Sequence, residues 1–309
     1  MTYLRSFGCC LPPERVGNEA LAARTGRDAA QIEKTTGIRE RRYAGQDVVV
    51  VDLGLEAAKN CLRNADITAQ DIGLVLFSSG SPERVFPGPA ATLVARLGLQ
   101  TTPAIDLPIA SAGSLFGIAL AADLAERYGN VLVVASEIMS RRISDADADT
   151  AILFGDGAGA CLVSRDSGFA RITDFALYTD GKSAEALCLP YGGALQMNGL
   201  DVIMHASRKL PRAIGDLLAK HEILPTDVGI YLMHQANANL LLKVAATLKV
   251  PKERFFSNIE RYGNTSSASL LIAAAEWWSS HAIPITAPIV MGAFGAGFHW
   301  GALLAEQVS

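Results

Sequence analysis

Charge is scarce in this 309-residue chain: Asp, Glu, Lys and Arg make up 19% of it, and the formal net charge is only −4. Such a surface offers no basic face to a nucleic-acid backbone or to an anionic membrane. Cysteine is scarcer still. The five present, Cys9, Cys10, Cys61, Cys161 and Cys188, show neither C-x-x-C spacing nor a nearby His cluster, which argues against a disulfide framework and against a zinc site. The first eight residues lack the apolar stretch of a signal peptide, so a cytoplasmic location is expected. What the chain has is apolar mass. Half its residues are hydrophobic and its mean hydropathy is +0.25, enough for a large core and too much for disorder. Between Glu276 and Glu306 lie 29 residues without Asp, Glu, Lys or Arg, long enough to raise the question of a membrane span. Pro284, Pro288, Gly292, Gly295, Gly297 and Gly301 interrupt that stretch, and His281 and His299 sit in it. Two buried strands over 288–291 and 299–304, joined by a glycine-rich turn, are expected there instead.

The chain also repeats itself. Asp71–Gly80 resembles Asp227–Ala236 at an offset of 156 residues, and the same offset carries Ser111-Ala112 onto Ser267-Ala268 and Val133-Val134 onto Ile289-Val290. A Phe-Gly-x-Gly turn recurs at 154 and 294, where the offset falls to 140, as if the later copy lacked the loop around 138–152. Two α/β units are therefore expected, over 1–165 and 166–309. Helices near 53–64, 87–97, 207–220 and 237–248 alternate with apolar strands near 72–77, 103–106, 131–135, 228–233 and 254–257, a pattern of parallel-rich sheets covered on both faces. The uniformly small-residue helices 111–126 and 266–280 have no polar face and belong between the sheets, giving five α/β/α/β/α layers.

In such sheets, reactive groups gather at strand carboxyl ends and at the starts of the following helices. Three places qualify: Ser111 opening the first central helix, His234 ending strand 228–233, and Asn264 just before the second central helix. The repeat brings the three together, a nucleophile facing a proton acceptor and a hydrogen-bond donor. Taken singly, Ser111 reads as a helix N-cap, His234 as a core histidine and Asn264 as a turn residue. Asp145, Asp147 and Asp149 have the spacing of a calcium-loop start but lack its Gly and Glu, so they read as a solvated acidic loop and no metal is expected. Gly155–Gly159 is not a phosphate loop, since no Gly-Lys-Ser/Thr follows.

Several motifs occur in order: Thr36–Arg42 (TGIRERR), Phe154–Ala160 (FGDGAGA), His234–Asn237 (HQAN), Gly263–Ser266 (GNTS) and Gly295–Gly301 (GAGFHWG). Together they resemble β-ketoacyl-acyl-carrier-protein synthase III, a condensing enzyme of the thiolase superfamily, and the resemblance spans nearly the whole chain. It implies a duplicated thiolase-type fold in a homodimer that uses coenzyme A or acyl-carrier-protein thioesters as substrates, with no bound cofactor. It further implies a Cys–His–Asn set in which the cysteine takes an acyl group, while His and Asn help decarboxylate a malonyl thioester and stabilise its enolate. Main-chain N–H groups at Gly297 and Phe298 are expected as oxyanion donors, Arg39 as a contact to the carrier phosphate, and Phe86 near the dimer interface and the partner's acyl pocket.

The chain departs from that pattern at its centre. Ser111 stands where the family has its cysteine, while His234 and Asn264 match the other two positions. A hydroxyl is far less acidic than a thiol, so Ser111 needs a base, and His234 is the one available. Three explanations follow: a natural serine variant, a Cys-to-Ser change made to trap a ligand, or a silent partner subunit that no longer acylates. The Trp that precedes TGIR in the family and stacks on adenine has no counterpart in Ala30–Glu33. Asn239 stands where a basic residue commonly docks the carrier.

Overall fold

The computed structural model describes residues 1–280 and 287–308, so His281 and Pro284 lie outside the described residues. The chain begins with β1 (Thr2–Cys10), β2 (Glu14–Gly17), α1 (Asn18–Thr25), α2 (Ala29–Thr36), β3 (Glu40–Tyr43) and α3 (Val50–Asn64). There follow β4 (Ile72–Ser78), α4 (Pro89–Arg96), β5 (Ala104–Leu107), α5 (Gly113–Tyr128), β6 (Asn130–Ile138), α6 (Ala148–Ala151) and β7 (Asp156–Ser164). Then come β8 (Ala170–Thr179), β9 (Leu187–Cys188), β10 (Gln196–Met197), α7 (Gly199–Lys220), β11 (Ile230–Met233) and α8 (Ala238–Leu248). The chain closes with β12 (Phe255–Phe256), α9 (Ile259–Tyr262), α10 (Ala268–Ser280), β13 (Ile289–Gly295) and β14 (His299–Gln307).

Ten strands hydrogen-bond in the order β12-β11-β13-β14-β8-β1-β7-β6-β4-β5. Read outward from the β8–β1 seam, the two sides mirror one another: β1 answers β8, β7 answers β14, β6 answers β13, β4 answers β11 and β5 answers β12. The seam is short, pairing Thr2 with Ile172, Tyr3 with Arg171 and Leu4 with Ala170. It joins edge to edge what the sequence presents as two separate sheets. Parallel pairing is confined to the outer three strands of each side; the β6–β7, β1–β7, β13–β14 and β8–β14 pairs are antiparallel. The expected parallel-rich sheet is thus corrected. The link from β13 to β14 is only the 296–298 turn, too short for the crossover that a parallel neighbour requires.

Helices α3 and α4 cover one outer face, α7 and α8 the other, and α5 and α10 lie between the two sides of the sheet and touch each other. These are the five layers of the thiolase-type fold. α10 is buried almost throughout, as small side chains permit, but α5 exposes Leu120, Asp123, Glu126 and Arg127, so only one of the two is enclosed all round. The acidic loop docks on the first helix: Asp145 pairs with Arg24 at 2.8 Å and Asp149 with Arg27 at 2.5 Å, while Asp147 caps α6. Among the described residues no helix is long and apolar enough to cross a membrane.

The central layer depends on close approach. Gly159 of β7 faces α10, where an added Cβ would stand 2.4 Å from Leu271 Cβ and 3.0 Å from the Ile272 nitrogen. Gly159→Ala is therefore expected to cost about 1–3 kcal/mol of unfolding free energy in a urea titration. An unchanged midpoint would refute this packing account.

Candidate active site

Ser111 lies in the turn between β5 and α5 rather than in the helix. α5 begins at Gly113, and its N-cap is Ala112, with no side-chain capping bond, so Ser111 is not a cap. Its backbone is left-handed, with φ 61°, a conformation that costs a non-glycine residue energy and persists only where the surroundings hold it. They do. The Ser111 N–H donates to Ser266 Oγ at 3.0 Å, and the Ser78 hydroxyl donates to the Ile109 carbonyl at 3.1 Å.

Ser266 occupies the matching place before α10 and is also left-handed, with φ 48°. Its N–H donates to Asn264 Oδ1 at 2.9 Å. With that oxygen engaged, the Asn264 amide NH₂ is the end left to meet a ligand. The Asn264 main chain is pinned on both sides, its N–H donating to the Leu153 carbonyl at 2.9 Å and its carbonyl accepting from Gly155 N–H at 3.1 Å.

His234 follows the last residue of β11, and its main-chain N–H extends the ladder to the Gly292 carbonyl at 2.9 Å. Nδ1 lies 2.6 Å from Ser269 Oγ, which also accepts the Gln235 N–H at 3.0 Å. Burial pushes the imidazole down to about 4, and a hydrogen bond to the Ser266 carbonyl restores only part of the loss. The ring is neutral at physiological pH. It can take a proton without first having to lose one.

Ser111, His234 and Asn264 line one pocket, whose walls are otherwise mainly apolar, with Leu153, Phe154, Leu187, Leu241 and Phe294 among them. Gly295 closes the floor: a Cβ there would lie 2.7 Å from Ser111 Cβ and 2.3 Å from the Ala110 carbonyl oxygen. The expected oxyanion donors are not found there. The Phe298 N–H donates to the Asp180 carbonyl at 2.8 Å, its ring packs on Phe294 and His205, and neither Gly297 nor Phe298 lines the pocket. The glycine-rich turn meets Ser111 through Gly295, two residues earlier than the sequence suggested.

The remaining expected contacts lie outside the pocket lining. Arg39 is exposed and its Nε donates to Glu33 at 2.9 Å; Asn239 donates through Nδ2 to the Thr35 carbonyl at 2.8 Å, as Asn237 does at 3.2 Å. Phe86 is 84% exposed. Three contributors escape the sequence reading. Ser266 and Ser269 sit in a serine-rich run where nothing distinguishes one hydroxyl from another. Arg41 is wholly buried and donates to the Ile152 carbonyl at 2.5 Å and to Asn18 Oδ1 at 2.8 Å, fixing the turn after α6 that leads into Leu153 and Phe154; burial lowers its guanidinium to about 10.

The family model described as 3-oxoacyl-[acyl-carrier-protein (ACP)] synthase III matches residues 105–181, and that of its C-terminal part matches residues 218–307. A β-ketoacyl-[acyl-carrier-protein] synthase III of Chlamydia caviae is 32% identical over 319 residues, covering 97% of this chain and 95% of the relative. The chain belongs to the β-ketoacyl-acyl-carrier-protein synthase III family. The crystal structure of 3-oxoacyl-[acyl-carrier-protein] synthase III from Aquifex aeolicus superposes with a TM-score of 0.95 at 31% identity, over 99% of this chain and 100% of that one. The priming β-ketosynthase of the R1128 polyketide pathway superposes at 0.92 and 29% identity, over 99% and 96%. The fold is the family's thiolase-type fold, and the chain is a condensing enzyme of fatty acid or polyketide biosynthesis.

The depressed His234 gives a direct test. Its folded pKa lies below the unfolded value, so its contribution to stability is present above about pH 6.5 and is lost as pH falls toward 4. The His234 ring resonance should titrate near 4, and relative to His234→Asn the protein should lose stability across that window. A midpoint above 6 would contradict the buried neutral ring.

Proposed function

We propose that Ser111 is the acyl acceptor and that the enzyme works through an oxygen ester. The observation that carries this reading is the pocket shared by Ser111, His234 and Asn264, with a buried neutral imidazole supplying the base a hydroxyl needs. Ser111 Oγ attacks the thioester carbonyl of an acyl-coenzyme A or acyl-carrier-protein donor while its proton passes to His234. The carbon–sulfur bond then breaks, and the departing thiolate takes that proton back. In the second step a malonyl-type thioester loses carbon dioxide, and its enolate oxygen is held by the Asn264 amide NH₂, with His234 beside it. The new carbanion attacks the acyl carbon, a carbon–carbon bond forms, the Ser111 Oγ–carbon bond breaks, and Oγ takes a proton from water by way of His234. Oxygen esters are less electrophilic toward carbon than thioesters, so condensation is the slower half. No bound cofactor is needed. Oxyanion contacts are placed at the main chain around Gly295, the segment packed against Ser111.

Two copies are proposed to join along β5. Among the described residues that strand ends the sheet with one edge unpaired, Ile105 on it is 46% exposed, and the exposed Phe86 lies in the loop between β4 and α4. A second copy would cover this edge. Sedimentation should report a dimer, and Ile105→Glu should shift it toward monomer; an unchanged sedimentation coefficient would refute this interface.

Intact-protein mass spectrometry after incubation with acetyl, longer acyl and malonyl thioesters, on coenzyme A and on carrier protein, tests the chemistry. An adduct mapping to Ser111 is expected. It should vanish in Ser111→Ala, persist in Ser111→Cys, and form about 100-fold more slowly in His234→Ala. No adduct with any donor would favour a silent partner subunit.

A further inference from the structure

Glu137, near the end of β6, is fully buried directly beneath the reacting turns, and its carboxylate has no part in the chemistry above. On one side it accepts from the end of β4 and the loop beyond: Gly80 N–H at 3.0 Å, the Ser81 hydroxyl at 2.6 Å and the Ser79 hydroxyl at 3.4 Å. On the other it accepts from the turn before α10, through the Ser267 hydroxyl at 2.6 Å and the Ser267 N–H at 3.4 Å. These partners are hydroxyls and main-chain N–H groups, with no cation among them. Burying a carboxylate this way is costly, and an apolar side chain of the same size would fill the space at less expense.

The two segments it joins are the supports of the site. A Cβ on Gly80 would touch Ala110 Cβ at 2.9 Å, so the β4 end is the floor under the Ser111 turn. Ser267 immediately follows Ser266, whose hydroxyl holds the Ser111 N–H and whose N–H holds Asn264. We infer that Glu137 is a positioning residue: its carboxylate clamps the floor of the Ser111 turn to the Asn264–Ser267 turn and so sets Ser111 against His234 and Asn264. Only an acceptor at both ends can do this. A carboxylate has no hydrogen to donate, whereas Gln of the same shape turns an NH₂ toward main-chain N–H groups that cannot rotate away.

The effect on rate rests on the Ser111 reading; the clamp itself does not. Two measurements on the full-length protein separate them. The first is amide hydrogen exchange at Ser111, which needs no substrate. In Glu137→Gln that amide should exchange about 10-fold faster while β1 and β7 amides are unchanged. The second is the rate of acyl-adduct formation, which should fall about 10–100-fold at saturating thioester, with the half-saturating concentration within about 3-fold of wild type. Ser267→Ala, a milder change, should move both readouts the same way. Gly159→Ala serves as a control of lowered stability and should leave the Ser111 amide and the adduct rate near wild type.

Unchanged Ser111 exchange in both variants would overturn the clamp, as would faster exchange with an unaltered adduct rate. Losses that Gly159→Ala reproduces in step with its melting temperature would reduce Glu137 to a stability residue and overturn it equally. Faster exchange in a protein whose wild type never forms an adduct would leave the clamp standing and remove the Ser111 acylation reading instead.

Discussion

The hydrogen bond from the Ser111 N–H to the Ser266 hydroxyl crosses 155 residues of sequence and joins the turns that lead into the two central helices. Both partners sit in left-handed turns just before the two central helices, and neither turn is relaxed on its own. Each is held because the other is there. The small residues of α5 and α10 let those helices share one layer, which brings their leading turns together. The hydrogen bond then converts proximity into register. His234 and Asn264 are placed by that same register, since Ser266 N–H holds the Asn264 oxygen and Ser269, one turn further along, holds His234.

Much of this was legible because it is periodic or local. The strand and helix series, the repeat and the small-residue helices all show in composition and spacing. The three pocket residues follow from where the repeat puts strand ends and helix starts. Element boundaries differ where a cap sets them: α7 begins at Gly199 rather than near 207, because Asn198 caps it and bonds Asp201. What stayed hidden was connection across distance. Arg41 to Ile152, Glu137 to Ser267 and Phe298 to Asp180 join segments far apart in sequence. A buried Arg or Glu looks in sequence like any surface charge. The Phe298 N–H belongs with these, since an N–H is free or engaged only according to what folds against it.

Polar groups at the centre of an apolar protein are costly, and this one concentrates them. Ser111, Ser266, Ser267, Ser269, Thr265 and Glu137 are all buried within one small region, and three hydrogen-bonded groups, Ser111–Ser266–Asn264, Ser267–Glu137 and Ser269–His234, meet along the run 264–269. Networks of this sort stiffen a site when every member is satisfied. Under the Ser111 reading, rigidity suits a reaction in which a carbonyl carbon must be presented first to an oxygen and then to a carbanion, because misplacement by an ångström costs rate at both steps.

The state of His234 bears on the oxygen at position 111. A cysteine nucleophile paired with histidine gains from an imidazolium beside it, because the cation holds the thiolate down in pKa. Burial that drives the imidazole to about 4 works against such an ion pair. For a serine the requirement is reversed. The hydroxyl stays protonated until the moment of attack, and what it needs beside it is an uncharged ring with a lone pair to receive the proton. A low-pKa imidazole in an apolar-walled pocket is a weak base, yet it is always in the right form at neutral pH, and the apolar walls strengthen the interactions of the transient charges formed during transfer. Under the Ser111 reading, then, the neutral ring and the hydroxyl fit one another, and restoring a thiol at 111 would set its sulfur against a histidine disinclined to carry charge.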